Sequence, residues 1–318
     1  MNFDFDAAVT APFRMQPGLR RMASGAPQLT PLAPGSPHQR EKLAVLSAYL
    51  DLCLCQTPGF DPAPALRALA SQAAAEHPAV WAWDGCSAQA LGVRVTDGKV
   101  ELLAPLPFGL GDEVARCLRG LPPEWRLTGL LSLAFAEDFA IIDAASGTLP
   151  WMAVTLPSFW APQDKVGRHF TAVHAPVADN ALLIQAAESL MRLVSGDQRW
   201  ERFVWTVTSH PRLHAHPRHV EAERWPGGRF DAAHAWWRSE HQTFIPLPGL
   251  RQAVFTIGVE VSPLAQATAT PARATRLHDA IASMSPAVLD YRSLSAVREP
   301  LLAWLGARKI AVMPGLAG

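Results

Sequence analysis

The sequence predicts an α+β fold, an antiparallel sheet with helices on its flanks, and three observations support this. Residues 91–105 have the pattern of two strands about an Asp97-Gly98 turn, a dipeptide that favours tight hairpins. Residues 234–245 and 252–261 have the pattern of two further strands, and apolar and polar side chains alternate cleanly in the second. Helical patterns flank these strands, which indicates an α+β architecture.

The first 35 residues differ in character from the rest of the chain. Residues 1–35 are rich in proline and glycine and show little periodicity, which predicts an extended arm over the surface with Phe13 and Met15 as anchors. Residues 36–318 contain no linker that would divide them. We therefore expect one domain there, with C-terminal helices from about residue 270.

Further elements follow from local patterns. Ser36-Pro37 predicts a helix start, because serine caps helices and proline fits the first turn. That helix carries leucines at helical spacing, at positions 43, 46, 50 and 54. Other helices are predicted over residues 62–77, 111–120, 179–194, 271–284 and 293–305. Other strands are predicted over residues 128–143 and 202–208, and a buried strand or turn over residues 151–156.

Composition excludes several classes of protein. The chain has 28 basic and 28 acidic residues, so it offers no net field to attract nucleic acid or an acidic membrane. Four cysteines, at positions 53, 55, 86 and 117, form neither a CxxC pair nor the CxxCH that attaches haem covalently. The first ten residues lack a basic region followed by an apolar core, and we expect a cytoplasmic location.

Two motifs resemble a metal site and a dinucleotide-binding loop, but the residues around them do not favour either interpretation. His210, His214, His216 and His219 lie within ten residues, and such crowding can chelate a transition metal. Prolines and arginines among them favour a solvated loop instead. Gly109-Leu-Gly111 lacks the strand and helix context of a dinucleotide-binding loop.

A more informative stretch runs from residue 149 to residue 180. It contains an aromatic corner at Trp160, then Lys165 and Arg168, then a short apolar run that ends on His174. Haem requires an imidazole for its iron, apolar walls for the ring and cations for its propionates. The stretch offers all three, although a single histidine beside apolar residues is more commonly structural.

The segment PSFWAPQDKVGRHFTAVHAPV, residues 157–177, resembles the signature of the haem-dependent oxidative N-demethylase family, in which W-x-P-x-x-K-x-G leads to H-x-P-V. Other blocks resemble that family in the same order, at residues 11–22, 136–139, 202–205, 237–244 and 255–257. The resemblance covers roughly residues 11–264.

The resemblance implies a PAS-like antiparallel sheet with b-type haem held without covalent attachment between sheet and helix. It implies that His174 is the axial iron ligand, with His169 as the rival. Trp160 would line the haem, and Lys165, Arg168 and Arg238 would pair its propionates.

The implied activity is that of a haem-dependent monooxygenase that oxidises an amine with O2, by oxidative N-demethylation or a related reaction. Glu240 would orient a cationic amine or relay protons, unless it forms a structural pair with Arg238. NADPH, flavin and an iron–sulfur cluster would reside only on a separate reductase partner. The alternative is a haem-binding sensor or a non-catalytic subunit, and the amine and the oligomeric state are left open.

The chain also departs from the family pattern. His241 and Gly258 stand where the family has arginine, and Glu260 stands where it has tyrosine. Val204 replaces an asparagine and Ala178 a proline. If the two missing arginines served cofactor or substrate, the substrate inference is weakened more than the fold inference.

Overall fold

The structure, a computed structural model, describes residues 3–309. Their strands in chain order are β1 (Arg20–Arg21), β2 (Leu54–Gln56), β3 (Ala82–Trp83), β4 (Ser87–Ala90), β5 (Val93–Thr96), β6 (Lys99–Leu102), β7 (Glu137–Asp143), β8 (Thr148–Ala153), β9 (Trp200–Thr208), β10 (Trp236–Leu247) and β11 (Gln252–Pro263). Their α-helices are α1 (Phe5–Ala8), α2 (Pro37–Ala48), α3 (Leu50–Cys53), α4 (Ala63–Glu76), α5 (Glu113–Gly120), α6 (Arg126–Ala134), α7 (Phe170–His174), α8 (Ala181–Gln185), α9 (Ala187–Val194), α10 (Leu264–Ala267), α11 (Pro271–Ala282), α12 (Pro286–Tyr291) and α13 (Arg298–Lys309).

These strands form two antiparallel sheets. The larger has the order β1-β9-β10-β11-β7-β8-β2, and the smaller has the order β3-β4-β5-β6. The smaller sheet contains the predicted hairpin about Asp97-Gly98, whose residues both adopt positive φ. The predicted α+β fold is therefore confirmed, and the open antiparallel sheets with flanking helices are consistent with a PAS-like arrangement.

The two faces of the larger sheet carry different residues, because side chains alternate along each strand. One face, here the α7 face, presents Arg202, Glu240 and Phe255. Side chains of α7 and α9 pack over it around Phe255. The opposite face, here the α11 face, presents Trp205 and Trp237, whose rings stack at 5.2 Å beneath α11 to α13.

A buried ion pair ties the helical layer to the strands that lead into the α7 face. Lys42 Nζ on α2 lies 3.2 Å from Asp138 Oδ1 on β7, and both side chains are fully buried. Lys42 also donates to the Glu137 carbonyl at 2.8 Å. Asp138 in turn accepts from Thr155 Oγ1 and from the Leu156 amide, each at 2.6 Å. Asp138 therefore holds Thr155 and Leu156, which follow β8, against β7 and α2.

The N-terminal residues contact the α11 side of the molecule. Phe5 on α1 packs against Trp237 with ring centroids 5.1 Å apart. Phe13 and Met15 pack against the same apolar cluster, as expected for anchors. None of the helices within residues 3–309 is both long and apolar enough to cross a bilayer.

Several predicted elements are confirmed and three need correction. Ser36 caps α2, and the strands β9, β10 and β11 lie where expected. The predicted strand over residues 128–143 is wrong in its first half, which is the buried helix α6, because a short apolar run does not distinguish a buried helix from a buried strand. The helix predicted over residues 179–194 is two short helices that meet at Ala186. Leu54, assigned to the leucine-spaced helix, begins β2.

Candidate functional site

The candidate site is the space between the α7 face and the chain that runs from residue 157 to α9. Trp160 belongs to an apolar cluster with Phe255 and Val261 of β11. Phe170 of α7 packs into the neighbouring cluster with Phe244 and Phe255, whose rings stack at 4.9 Å. Apolar walls therefore come from both the sheet and the covering segment.

His174 ends α7 with one ring nitrogen committed. Its Nδ1 lies 2.8 Å from the carbonyl oxygen of Phe170. A carbonyl only accepts, so Nδ1 carries the proton and Nε2 keeps its lone pair. No second hydrogen bond to this ring occurs within residues 3–309. Burial, together with the nearby cations Arg202 and Lys165, lowers the pKa of His174 to about 4, so the ring is neutral at pH 7.

His169 occupies a different position. It is exposed, and its Nδ1 caps α7 by accepting from the Thr171 amide at 3.4 Å. Its ring lies on Gly147, where an added Cβ would come within 2.5 Å of Nε2. His169 therefore lies at the surface, while His174 faces the cations of the site.

Lys165 and Arg168 are separated in the same way. Lys165 Nζ sits over the Trp160 ring, 5.1 Å from its centroid. Burial lowers the pKa of Lys165, and the charge of Glu240 opposes that shift. Arg168 is exposed to solvent. The structure thus brings Trp160 and Lys165 towards Glu240 but leaves Arg168 outside.

Arg202 on β9 is the site residue that the sequence did not single out. Its Nε is buried without a hydrogen-bond partner, and its guanidinium makes no hydrogen bond or ion pair within residues 3–309. Burial lowers its pKa, while the charge of Glu240 raises it. The only sequence signal was the short block around Arg202 and Trp205 that resembles the family's R-x-N-W.

Glu240 lies at the centre of this group of charges. Its side chain is 7% exposed, and Oε2 accepts from Gln242 Nε2 at 2.5 Å. Val204 and Val259 are its cross-strand neighbours. Within the described residues, no arginine or lysine forms an ion pair with it, so the alternative of a direct pair with Arg238 is not formed.

Arg238 is buried on the same face but has all its donor nitrogens engaged. Its Nε donates to Ser158 Oγ at 2.7 Å and its Nη1 to the Arg212 carbonyl at 3.0 Å. Its Nη2 reaches three more carbonyls, the closest that of Leu213 at 2.8 Å. Burial lowers its pKa to about 10. This guanidinium joins the 156–158 segment to the loop at 212–213.

The histidine-rich loop is not solvated, which corrects the sequence interpretation. His214 and His216 are each 1% exposed. His214 Nδ1 bonds the Thr155 carbonyl at 2.6 Å and its Nε2 meets His219 Nδ1 at 2.8 Å. These imidazoles bond the protein and one another, and no group of metal-ligating residues is found within residues 3–309.

Most departures from the family pattern lie away from this site. His241 and Gly258 are direct cross-strand partners on the α11 face, where Ser239 pairs with Glu260. His241 Nε2 there bonds a carboxylate, Glu201 Oε2, at 2.7 Å. Val204 is the exception, since it lies on the α7 face opposite Glu240.

Taken together, these side chains suit a ligand that has a metal, an apolar body and carboxylates. His174 offers a nitrogen lone pair, and Arg202 and Lys165 face a single carboxylate, that of Glu240. A buried guanidinium without a partner costs free energy, which an anionic ligand would recover. Two cavities of about 370 and 290 Å³ open elsewhere, between α2 and α5 and beside Phe159.

Comparison with known families gives one match. The family described as haem-dependent oxidative N-demethylase, alpha subunit-like, matches residues 110–302, a span that contains α5 to α12 and every residue of the candidate site.

Proposed function

Because this chain belongs to the haem-dependent oxidative N-demethylase, alpha subunit-like, family, we propose that it is the haem-binding, amine-oxidising subunit of a multi-component monooxygenase. The observation that carries the proposal is a neutral His174, whose Nε2 is free to ligate, near the half-buried Arg202, whose buried Nε has no hydrogen-bond partner within residues 3–309. Haem would supply an iron for His174 and propionate carboxylates for Arg202.

In this proposal His174 would ligate the iron of b-type haem. Haem-ligating histidines are commonly oriented by a hydrogen bond that the other ring nitrogen donates, and here the Phe170 carbonyl accepts it from His174 Nδ1. His169 is assigned no part in ligation, because its exposed ring caps α7. Trp160 and Phe170 would line the ring, since both belong to the apolar clusters over the sheet.

The propionates would pair with Arg202 and Lys165. Within residues 3–309 the Arg202 guanidinium makes no hydrogen bond, and Lys165 sits over Trp160 close to the Glu240 carboxylate that also lies near Arg202. Arg238 is assigned a positioning role, because its donors are taken by the chain that carries Ser158 and Trp160. Arg168, being exposed, would act at most at the entrance.

Glu240 would hold the amine. When bound, haem supplies the activation of O2 that amine oxidation requires. The chain's own contribution is a carboxylate that is anchored by Gln242 and lies close to Arg202 and Lys165. It would orient a protonated amine and accept its proton before oxidation.

Electrons would come from a partner. The cysteines at positions 53, 55 and 117 are buried and burial raises the pKa of each thiol, while Cys86 stands alone at the surface. Such thiols do not suit an iron–sulfur cluster. We therefore propose that NADPH, flavin and iron–sulfur chemistry belong to separate reductase proteins.

The test is formaldehyde release by the haem-reconstituted chain from methylamines. We expect none with NADPH alone and turnover once a surrogate ferredoxin–reductase pair is added. Glu240→Gln should reduce turnover at least tenfold, while the change Glu124→Gln at an exposed position should not. Steady turnover with NADPH alone would contradict the separate reductase.

The same experiment addresses the alternative of a haem-binding sensor or non-catalytic subunit. Haem binding with a stable carbonyl complex, and no turnover of any amine with the reductase pair, would favour that alternative.

A further inference from the structure

The cavity beside Phe159 is lined by neither His174 nor Glu240, so the proposed function does not use it. Its volume is about 290 Å³, and its walls include Phe159, His210 and Arg224, with Glu221 and Glu223 also lining it. One wall is thus cationic and aromatic, whereas another is acidic.

Arg224 is a cation without an anionic partner. Its Cζ lies 3.5 Å from the centroid of the Phe159 ring. The guanidinium makes no hydrogen bond or ion pair within the described part of the chain. Burial lowers its pKa to about 10, so it stays charged at neutral pH. All its donors remain available to a ligand.

Phe159 is held in a strained conformation that fixes this wall. Its φ of 65° is in the left-handed region, which costs a bulky residue free energy and commonly accompanies function. Its amide donates to the Ala215 carbonyl at 2.9 Å, and Ala215 donates back to the Pro157 carbonyl at 3.1 Å. Arg238 Cζ lies 5.6 Å from the same ring.

His210 adds a second unused polar group. Its ring stands edge-on to Phe159, with centroids 6.3 Å apart. Its Nδ1 is buried and finds no hydrogen-bond partner within residues 3–309. His210 therefore places an unsatisfied imidazole in the same wall as the Arg224 guanidinium.

The acidic residues determine what kind of ligand fits. Glu221 and Glu223 are exposed, and neither forms an ion pair with Arg224. They would repel a simple anion on its way to the guanidinium. A ligand that also carries a positive charge offsets that repulsion, because its cation is attracted to the two carboxylates.

We propose that this cavity binds a small zwitterion of the amino-acid class, with its carboxylate on Arg224 and its ammonium group towards Glu221 and Glu223. A carboxylate matches the planar fork of a guanidinium through two parallel hydrogen bonds. The proposal rests on this cavity alone and does not depend on haem or on amine oxidation.

Three small probes of similar size test it by calorimetric titration of the full chain. N-methylglycine carries both charges, butyrate only the carboxylate, and N-methylpropylamine only the cation. We expect N-methylglycine to bind at least about tenfold more tightly than either of the others. No binding of N-methylglycine, or equal binding of butyrate, would overturn the proposal.

Variants locate the site. Arg224→Gln should weaken N-methylglycine about tenfold or more, and Arg224→Lys less, whereas Arg218→Gln on the neighbouring exposed loop should change nothing. The double change Glu221→Gln, Glu223→Gln should weaken N-methylglycine and strengthen butyrate, so it tests the site even if Arg224→Gln fails to fold. Binding that is the same in the wild type and all the variants of Arg224, Glu221 and Glu223 would place the ligand elsewhere and contradict the assignment.

Discussion

The two faces of the seven-stranded sheet differ in whether their charged side chains have hydrogen-bonding partners. On the α11 face, His241 bonds Glu201 at 2.7 Å, and Glu201 also accepts from Arg20 at 2.8 Å. On the α7 face, Arg202 has no acceptor within residues 3–309, although its Nε is buried. Because an unpaired buried charge is costly, Glu201 and His241 satisfy each other on the α11 face, whereas Arg202 on the α7 face is suited to an anionic ligand.

The same contrast separates two arginines within the α7 face. Arg238→Met should lower the free energy of unfolding by about 3–5 kcal/mol, because it leaves several buried carbonyls without donors. Arg202→Met, which removes no hydrogen bond, should change it by less than about 1 kcal/mol in haem-free protein. Urea denaturation of the haem-free variants measures both. Equal losses would show that Arg202 is as structural as Arg238.

The pH dependence of stability tests a buried acid on the α11 face, Glu137, whose cross-strand partner is Gly258. Burial raises the pKa of Glu137 to about 7, although the Thr30 amide donates to it. Between about pH 4.5 and pH 7 the unfolded chain ionises this group before the folded chain does, so stability falls as the pH rises. Glu137→Gln should therefore gain up to about 3 kcal/mol at pH 8 relative to wild type and nothing at pH 4. A gain that does not depend on pH would contradict the raised pKa.

Restoring family residues on each face distinguishes their roles. Val204→Asn places an amide opposite Glu240, and we expect amine affinity to change by about three- to tenfold, roughly 1 kcal/mol. His241→Arg lies on the α11 face and should leave amine affinity unchanged. Titration of amines against the haem-loaded protein measures both. A larger effect from position 241 would contradict the assignment of the site to the α7 face.

The sequence predicted elements where periodicity was unambiguous. The alternation of β11 and the cap of α2 were readable because each depends on neighbouring residues. The run that became α6 was not, since all-apolar segments suit both a buried helix and a buried strand.

The site was only partly readable for a different reason. His174 and Glu240 were found from local motifs, but Arg202 acquires meaning only when β9 lies beside β10 and places it beside Gln242 and close to Glu240. Likewise, the histidines at positions 214 and 216 seemed solvated because nothing local revealed that the Thr155 and Gln163 segments would cover them. Burial of polar residues depends on tertiary neighbours, which composition does not report.

Binding of haem to the α7 face through His174 is tested most directly by one set of absorption spectra. Wild type, His174→Ala and His169→Ala are reconstituted with haem, and their Soret bands are compared in the oxidised, reduced and carbonyl forms. We predict that His169→Ala matches the wild type, while His174→Ala loses the wild-type band. An unchanged spectrum in His174→Ala, with the loss in His169→Ala instead, would contradict the account.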